Sequence, residues 1–338
     1  MRAKKFSLGA NHTENAGLFS VALTALPSLS LAPGATWAQD DAYPSRPVTL
    51  VVGFSAGGSS DLLGRKLAQY LGSALGQPVV VQNKEGAGST IAVKSVADAR
   101  PDGYTLLLGG SSGVVIAPIL GKVGYDPVAD LRTVAMIGRA SSAIAVNPSV
   151  PARSLPELVA LAKANPGKYE FASAGINGFD HLTGEFFKQV CGDLEVMHIP
   201  YRGGSVAMQG VIAGHTSILI TTLAPMYPHL KTGQLRIIAV SGRTRSASAP
   251  ELPTAAEQGF PELVVETANF LSISSKTPAP IVAKLRTAMQ SVMSNPAFIA
   301  DLKALHFEPA NDSAGATEGF VKSETEKWRK IAVRAKLV

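Results

Sequence analysis

The segment Gly53-Phe-Ser-Ala-Gly-Gly-Ser-Ser-Asp61 has the residue types and spacing that most directly permit chemistry. A β-branched apolar run, Val48–Val52, ends in glycines and serines, and an amphipathic stretch follows at once. Backbone N–H groups at a helix start have no partner and carry a partial positive charge, so such a place favours an anion. Gly57 and Gly58 let the loop fold tightly and let a ligand approach the backbone. The same letters spell G-x-S-x-G through Gly53, Ser55 and Gly57, the nucleophile elbow of a serine hydrolase. A third reading is the strand–glycine–helix start of a dinucleotide fold, with Glu85 in the place of a ribose-binding acid. The spacing here, however, is G-x-x-x-G-G rather than G-x-G-x-x-G.

Three further segments share this character: Glu85-Gly-Ala-Gly-Ser-Thr90, Ser173-Ala-Gly-Ile-Asn-Gly178 and Tyr201-Arg-Gly-Gly-Ser205. Other candidates for chemistry are sparse. His181, His198, His215, His229 and His306 are scattered, with no metal-ligand spacing, so no metal site is expected. Cys191 is the only cysteine. It ends an apolar helical run and reads as a structural thiol, and the chain forms no internal disulfide.

The elements that must position these loops alternate between short strands and helices. Strand-like runs are expected at 48–52, 79–82, 105–108, 133–146, 169–172, 196–200, 217–221, 236–240 and 264–274. Helices are expected over Asp61–Leu75, with Leu63, Leu67, Leu71 and Ala74 on one face, and over Asp180–Val190, with Leu182, Phe186 and Val190 in register. A third is opened by the capping box Ser154-Leu-Pro-Glu157 and closed by Asn165-Pro-Gly167. This alternation implies an α/β fold with parallel strands and helices on both faces. Ligands of such sheets bind beyond the carboxyl ends of strands, where glycine-rich loops feed helix starts. Two of the four loops lie early and two lie mid-chain, and the long run 133–146 reads as a strand crossing between two lobes. Lobe 1 is expected to hold 39–137 and 224–338, and lobe 2 to hold 138–223.

Composition frames the rest. The 338 residues are 46% apolar and only 17% charged, as for a compact protein with a substantial core. The net charge of +6 lies partly in Arg2, Lys4 and Lys5, and the remainder is too mild and dispersed for nucleic acid. The run Lys322–Arg334 alternates in sign and reads as a solvated helix face. Residues 1–38 read as a cleaved export signal, with a basic start, an apolar Ala16–Ala35 stretch and a small-residue site at Thr36-Trp-Ala38. A mature start near Gln39 and a soluble extracytoplasmic protein follow. The serine-hydrolase elbow would then lie close behind the mature start, leaving little room for the strands that precede it in such folds.

From Tyr43 onward a set of motifs occurs in order: Tyr43-Pro-Ser-Arg-Pro-Val-Thr-Leu-Val-Val, Phe54-x-Ala-Gly-Gly-x-x-Asp61, Gly76-Gln-Pro-Val-Val-Val and Gly86-Ala-Gly88. Then come Pro101-Asp-Gly-Tyr-Thr-Leu-Leu, Ala172-Ser-Ala-Gly175, His181-Leu-x-Gly-Glu185, His198-Ile-Pro-Tyr-Arg-Gly203 and Leu252-Pro-Thr-Ala-Ala-Glu257. The combination closely resembles the Bug/TctC family, the extracytoplasmic solute receptors of tripartite tricarboxylate transporters. The resemblance implies a type II periplasmic binding protein, non-enzymatic and without cofactor, whose two Rossmann-like lobes close on a small carboxylate. It implies a monomer whose partner is a permease of such a transporter or a sensor protein. Carried over by position, lobe 1 would offer Phe54, Ala56, Gly57, Gly58, Ser60 and Asp61, with Gly88 and Ser89. Lobe 2 would offer Ser173, Ala174, Gly175 and His181, with Tyr201 and Gly203. Departures from the family pattern fall near these positions: Ser55 stands where proline is usual, Ser60 where threonine is common, and Glu266-Thr-Ala-Asn-Phe-Leu lacks the usual tryptophan. Bland roles compete for several residues. Asp61 would equally complement a helix start, His181 would cap or pack, and Tyr201 would pack beneath a turn.

Overall fold

Both faces of the first strands are covered by helices, which explains why they read as continuous hydrocarbon rather than alternating. The computed structural model describes residues 43–310 and 314–338, so the expected signal, 1–38, lies outside the described residues. In chain order the first elements are β1 (Val48–Val52), α1 (Ser59–Leu75), β2 (Val79–Asn83), α2 (Thr90–Ala97), β3 (Thr105–Gly110), α3 (Ala117–Leu120) and β4 (Leu131–Val146). There follow α4 (Leu155–Ala164), β5 (Glu170–Ser173), α5 (Phe179–Val190), β6 (Met197–Pro200), α6 (Gly204–Ile212), β7 (Ile218–Thr222), α7 (Leu223–Lys231) and β8 (Arg236–Val240). The last are β9 (Glu266–Ser274), α8 (Ala279–Met293), α9 (Pro296–Ala304), β10 (Glu308–Pro309) and α10 (Ala314–Arg334).

One half of the sheet runs β2-β1-β3-β9-β4, parallel across β1, β2 and β3 and antiparallel at β9. Val48, Leu50 and Val52 face a core shared with α1, α8 and α9, whereas Val51 faces Ala92, Val93 and Val96 of α2. The buried stripe of α1 is Leu63, Leu67, Leu71 and Leu75. Ala74, expected on that face, is exposed, because the helical period carries the stripe from Leu71 to Leu75. The other half runs β4-β7-β5-β6, with β8 on the opposite side of β4. Helices α4, α5 and α10 cover one of its faces, and α6 and α7 the other.

The long strand expected across the middle is β4. Its residues 131–141 pair with β9, and residues 142–146 pair with β7 and β8. Where the halves meet, the Ser241 hydroxyl donates to Val265 O (2.6 Å) and to Ser142 O (3.1 Å), both buried. The chain therefore crosses between the halves at β4, again between β8 and β9, and a third time between β10 and α10, which packs on the second half.

Helix α4 starts as expected: Ser154 Oγ accepts from the Glu157 N–H. The Glu157 carboxylate returns to the N–H of Arg153 rather than to that of Ser154. Cys191 is buried, and burial pushes its thiol up to about 12, consistent with a packing role.

The run Lys322–Arg334 is more than a solvated face. Lys322, Glu326, Arg329 and Lys330 are exposed, but Trp328, Ile331 and Ala332 enter the core beside Phe171 and Phe187. The alternation of charge hides these three residues, which share one helical face. Trp328 is fully buried, donates its indole N–H to Glu324 (2.9 Å) and meets Phe179 edge-on at 5.6 Å. Replacing Trp328 with alanine should cost about 3–5 kcal/mol of unfolding free energy in a urea titration. A loss below about 0.5 kcal/mol would instead mean that α10 is the surface cover its charges describe.

Candidate functional site

The carboxyl ends of β1, β5 and β7 and the turn after β6 open onto a single cavity of about 60 Å³. Helices α1, α5, α6 and α7 begin at its wall, and none of them is capped by the side chain of its own N-cap residue. Ser154 caps α4 and Asn295 caps α9, whereas α2, α3 and α8 also start without a side-chain cap. Gly58, Gly178 and Gly203 occupy the N-cap positions of α1, α5 and α6, where a side-chain oxygen would otherwise take up the free N–H groups. Thr222 starts α7, and its hydroxyl is buried without a hydrogen-bond partner, as is that of Ser59. Among the described residues, no Lys, Arg or His lines the cavity.

All four glycine-rich loops reach it. Phe54, Gly58, Ser60, Gly88, Ala174 and Gly175 line the cavity. Of the remaining sequence candidates, Ala56 and Gly57 are exposed on the loop outside the cavity, and the others lie behind its surface. Asp61 is buried and accepts from Gly57 N (2.9 Å), Arg65 Nε (2.9 Å) and Asn83 Nδ2 (3.0 Å), so its carboxylate ties the first loop to α1 and β2. Ser89 fills the space beside Gly53, where a Cβ would collide with its hydroxyl. Tyr201 donates or accepts at Thr216 Oγ1 (2.8 Å), with its ring packed over Gly210.

Ser173 and His181 belong to a buried stack. The His181 and His198 rings lie 4.1 Å apart, and His198 stacks on Phe171 at 4.7 Å. His181 Nδ1 accepts from the Asn177 N–H. Ser173 Oγ donates to Gly175 O (2.9 Å) and lies 2.7 Å from His198 Nε2. The Ser173 hydroxyl is fully buried and outside the cavity lining, so the pair supports the loop rather than presenting a nucleophile. Burial, then the nearby His181 and Lys188, push His198 down to about 3, so it stays neutral and shapes the loop.

The two halves touch directly across the cavity. Ser55 Oγ and Ser205 Oγ lie 3.0 Å apart, and Ser205 also donates to Ala56 O (3.2 Å). The hydroxyl that spells a hydrolase elbow is thus engaged by another serine rather than by a histidine. Gly203, at φ +138°, gives Ser55 its space, since a Cβ there would overlap the serine side chain. Gly88, at φ +63°, lets its backbone pass Asn177, whose carbonyl oxygen would lie 2.9 Å from a Cβ. Ser112 Oγ, beyond β3, accepts from the Phe179 N–H (2.9 Å) and so satisfies one group of the α5 start from the opposite half.

Sequence reasoning missed Ser59, Ser112, Asp180, Thr221, Thr222 and Asn269, all at the cavity wall. The available signal was position: Thr221-Thr222 ends a strand and starts a helix, and Asp180 stands in the first turn after a glycine loop.

Asp61 gives a pH test. Burial alone would raise its carboxyl, but the Arg65 guanidinium, the Gly57 N–H and the Asn83 amide outweigh that and hold it below the ordinary carboxylate range. A carboxyl lowered on folding stabilises above its unfolded value and loses that contribution as pH falls through the folded one. The stability difference between wild type and Asp61→Asn should therefore be full at neutral pH and shrink below about pH 4. Chemical denaturation across that range measures it, and a constant gap would remove the ionic role.

Comparison with known proteins agrees with this geometry. The profile of the tripartite tricarboxylate transporter family receptor, TctC, matches residues 63–337. Protein BugT of Bordetella pertussis is 33% identical over 290 residues, covering 85% of this chain and 89% of BugT. The structure of the periplasmic binding protein BugD superposes with a TM-score of 0.82 at 31% identity, over 87% of this chain and 99% of BugD. An R. palustris protein solved with adipate superposes with a TM-score of 0.84 at 29% identity, over 87% and 98% of the two chains. The crossing strands, the cavity at the strand ends and the match over most of its length place the chain in the TctC/Bug family of tripartite tricarboxylate transporter receptors, with their periplasmic binding protein fold.

Proposed function

We propose that this protein is a periplasmic receptor that encloses a small carboxylate between two lobes and delivers it to a membrane permease of the tripartite tricarboxylate type. The observation that carries the reading is the convergence of four uncapped helix starts on one cavity without a basic side chain among the described residues. Each such start favours an anion by about 0.3–1 kcal/mol when exposed, and by up to about 2 kcal/mol when partly buried. Neutral donors also avoid the desolvation cost of a buried cation. A volume of about 60 Å³ suits a group the size of a few waters, since one water needs roughly 10–15 Å³ by the same measure. The adipate held by the R. palustris relative is a ligand of this chemical class.

Lobe 1 then comprises β1, β2, β3 and β9 with α1, α2, α8 and α9. Lobe 2 comprises β5, β6, β7 and the helices around them. Because β8 pairs with the same end of β4 as β7, the second boundary is better drawn near Ser241 than at Leu223. Closure would join the faces through the Ser55–Ser205 and Ser112–Phe179 contacts, and a ligand touching both lobes shifts the population toward that form. The export signal expected over residues 1–38 supports the periplasmic setting. We propose that the receptor works as a monomer.

Two measurements test the reading. In a thermal-shift screen of carboxylates running from acetate through malate and adipate to benzoate, at least one should raise the melting temperature, because ligand binding stabilises the folded form. Thr222→Val should leave the ligand-free melting temperature unchanged or raise it, since it removes a buried hydroxyl without a partner. It should weaken binding by about 10- to 150-fold, the worth of one hydrogen bond to a charged group. Unchanged affinity would remove Thr222 from the site. Ser55→Ala should weaken binding by no more than about tenfold, as expected for one neutral hydrogen bond.

A further inference from the structure

Asp180 is the one ionisable side chain among the described residues that line the cavity. It stands in the first turn of α5, is 8% exposed, and is hydrogen-bonded by the Thr221 hydroxyl and the Ala174 N–H. Among the described residues, no cation faces it from the elements packed around α5. Strand β7 carries no ionisable group, and Glu170 on β5 accepts from Ser217. His198 on β6 is bound to Ser173, and His181 on α5 accepts from Asn177. Glu185 and Lys188, further along α5, pair with each other, as do Glu324 and Lys327 on α10. The remaining charges between Lys322 and Arg334 are exposed, and Asp61 on α1 is held by Arg65. Burial pushes the Asp180 carboxyl up to about 7, with its two hydrogen bonds acting in the opposite direction.

A second carboxylate brought into so small a cavity would meet an ionised Asp180 with no basic side chain among the described lining residues, and two like charges so placed do not both stay ionised. We propose, on the reading that the ligand is a carboxylate, that Asp180 contacts it as the neutral acid, donating its O–H to the bound carboxylate, so that capture carries a proton into the complex. The proton sits on one Asp180 oxygen; above about pH 7 it is taken from solvent on capture and returned on release, and no bond of the ligand is broken. The same residue then selects against ligands that bring no acceptor to that point of the wall.

Below about pH 7 the free protein already holds this proton, and binding of an acid that is itself fully ionised should be independent of pH. Above it, each capture takes up one proton, and affinity should fall toward tenfold per pH unit. The experiment is titration calorimetry of wild type and Asp180→Asn with acetate, malate, adipate, benzoate and aspartate. It runs from about pH 6 to about pH 9 in buffers of different ionisation enthalpy, which report proton uptake directly. Expected are uptake approaching one proton per bound ligand molecule in wild type at the alkaline end, and no uptake in Asp180→Asn. The variant, whose amide donates but cannot ionise, should bind at least tenfold more tightly than wild type at that end. Wild-type binding without proton uptake overturns the proposal, whether or not the variant folds. So does preferential binding of aspartate that is lost in Asp180→Asn, because the residue would then be an ionised partner for an ammonium group. If none of these compounds binds wild type at any pH, it is the carboxylate reading itself that falls.

Discussion

Backbone N–H groups at the start of a helix must find an acceptor, and burying them without one is costly. In this protein four helices begin at the wall of one small cavity, and glycine or an unengaged threonine stands where a capping oxygen would. The surrounding structure is arranged around that constraint. Asp61 does not enter the cavity but fixes the loop that feeds α1. The neutral His181–His198 stack fixes the loop that feeds α5. The Asp61 carboxylate and the two imidazoles serve as scaffolding for a surface of main-chain N–H and hydroxyl groups, with Asp180 the one ionisable side chain among the described residues that line it.

The same constraint explains how the halves are joined. Loops from both sides must approach within hydrogen-bond reach of one small anion, so they also meet each other. Ser55 with Ser205 and Ser112 with Phe179 make that approach specific, and Gly88 and Gly203 make it sterically possible. Where β4 and the β8–β9 connection pass between the halves, the buried hydrogen bonds of Ser241 to Ser142 and Val265 hold these segments together. A few small residues at these places and at the loop contacts thus shape the cavity.

Much of the fold was legible because its signals are local. Strands covered on both faces read as short apolar runs, and Arg236–Val240 was placed to the residue. The four loops were legible because glycine and serine at a strand end are demanded by the turn itself. Residue roles within the loops were less so. Asp61, His181 and Tyr201 drew attention through their chemistry, yet each spends its polar atoms on a neighbouring loop or strand. Asp180 and Thr222 were passed over because an acid in a first helical turn and a hydroxyl at a strand end are common for local reasons. Only the three-dimensional meeting of β7, α5 and the crossing strand β9, with Asn269 at mid-strand, brings them to one wall. Trp328 was hidden in the same way, its apolar face masked by the charges beside it in sequence.

The central claim is that an anion is held here by helix starts and hydroxyls rather than by a basic side chain. A crystal structure of the protein with a carboxylate identified by thermal shift tests it most directly. The account predicts carboxylate oxygens within hydrogen-bond distance of first-turn N–H groups of α1 and of at least one of α5, α6 and α7, with Thr222 Oγ1 newly engaged. A carboxylate paired with a lysine or arginine, or bound outside the space between the two halves, would contradict it.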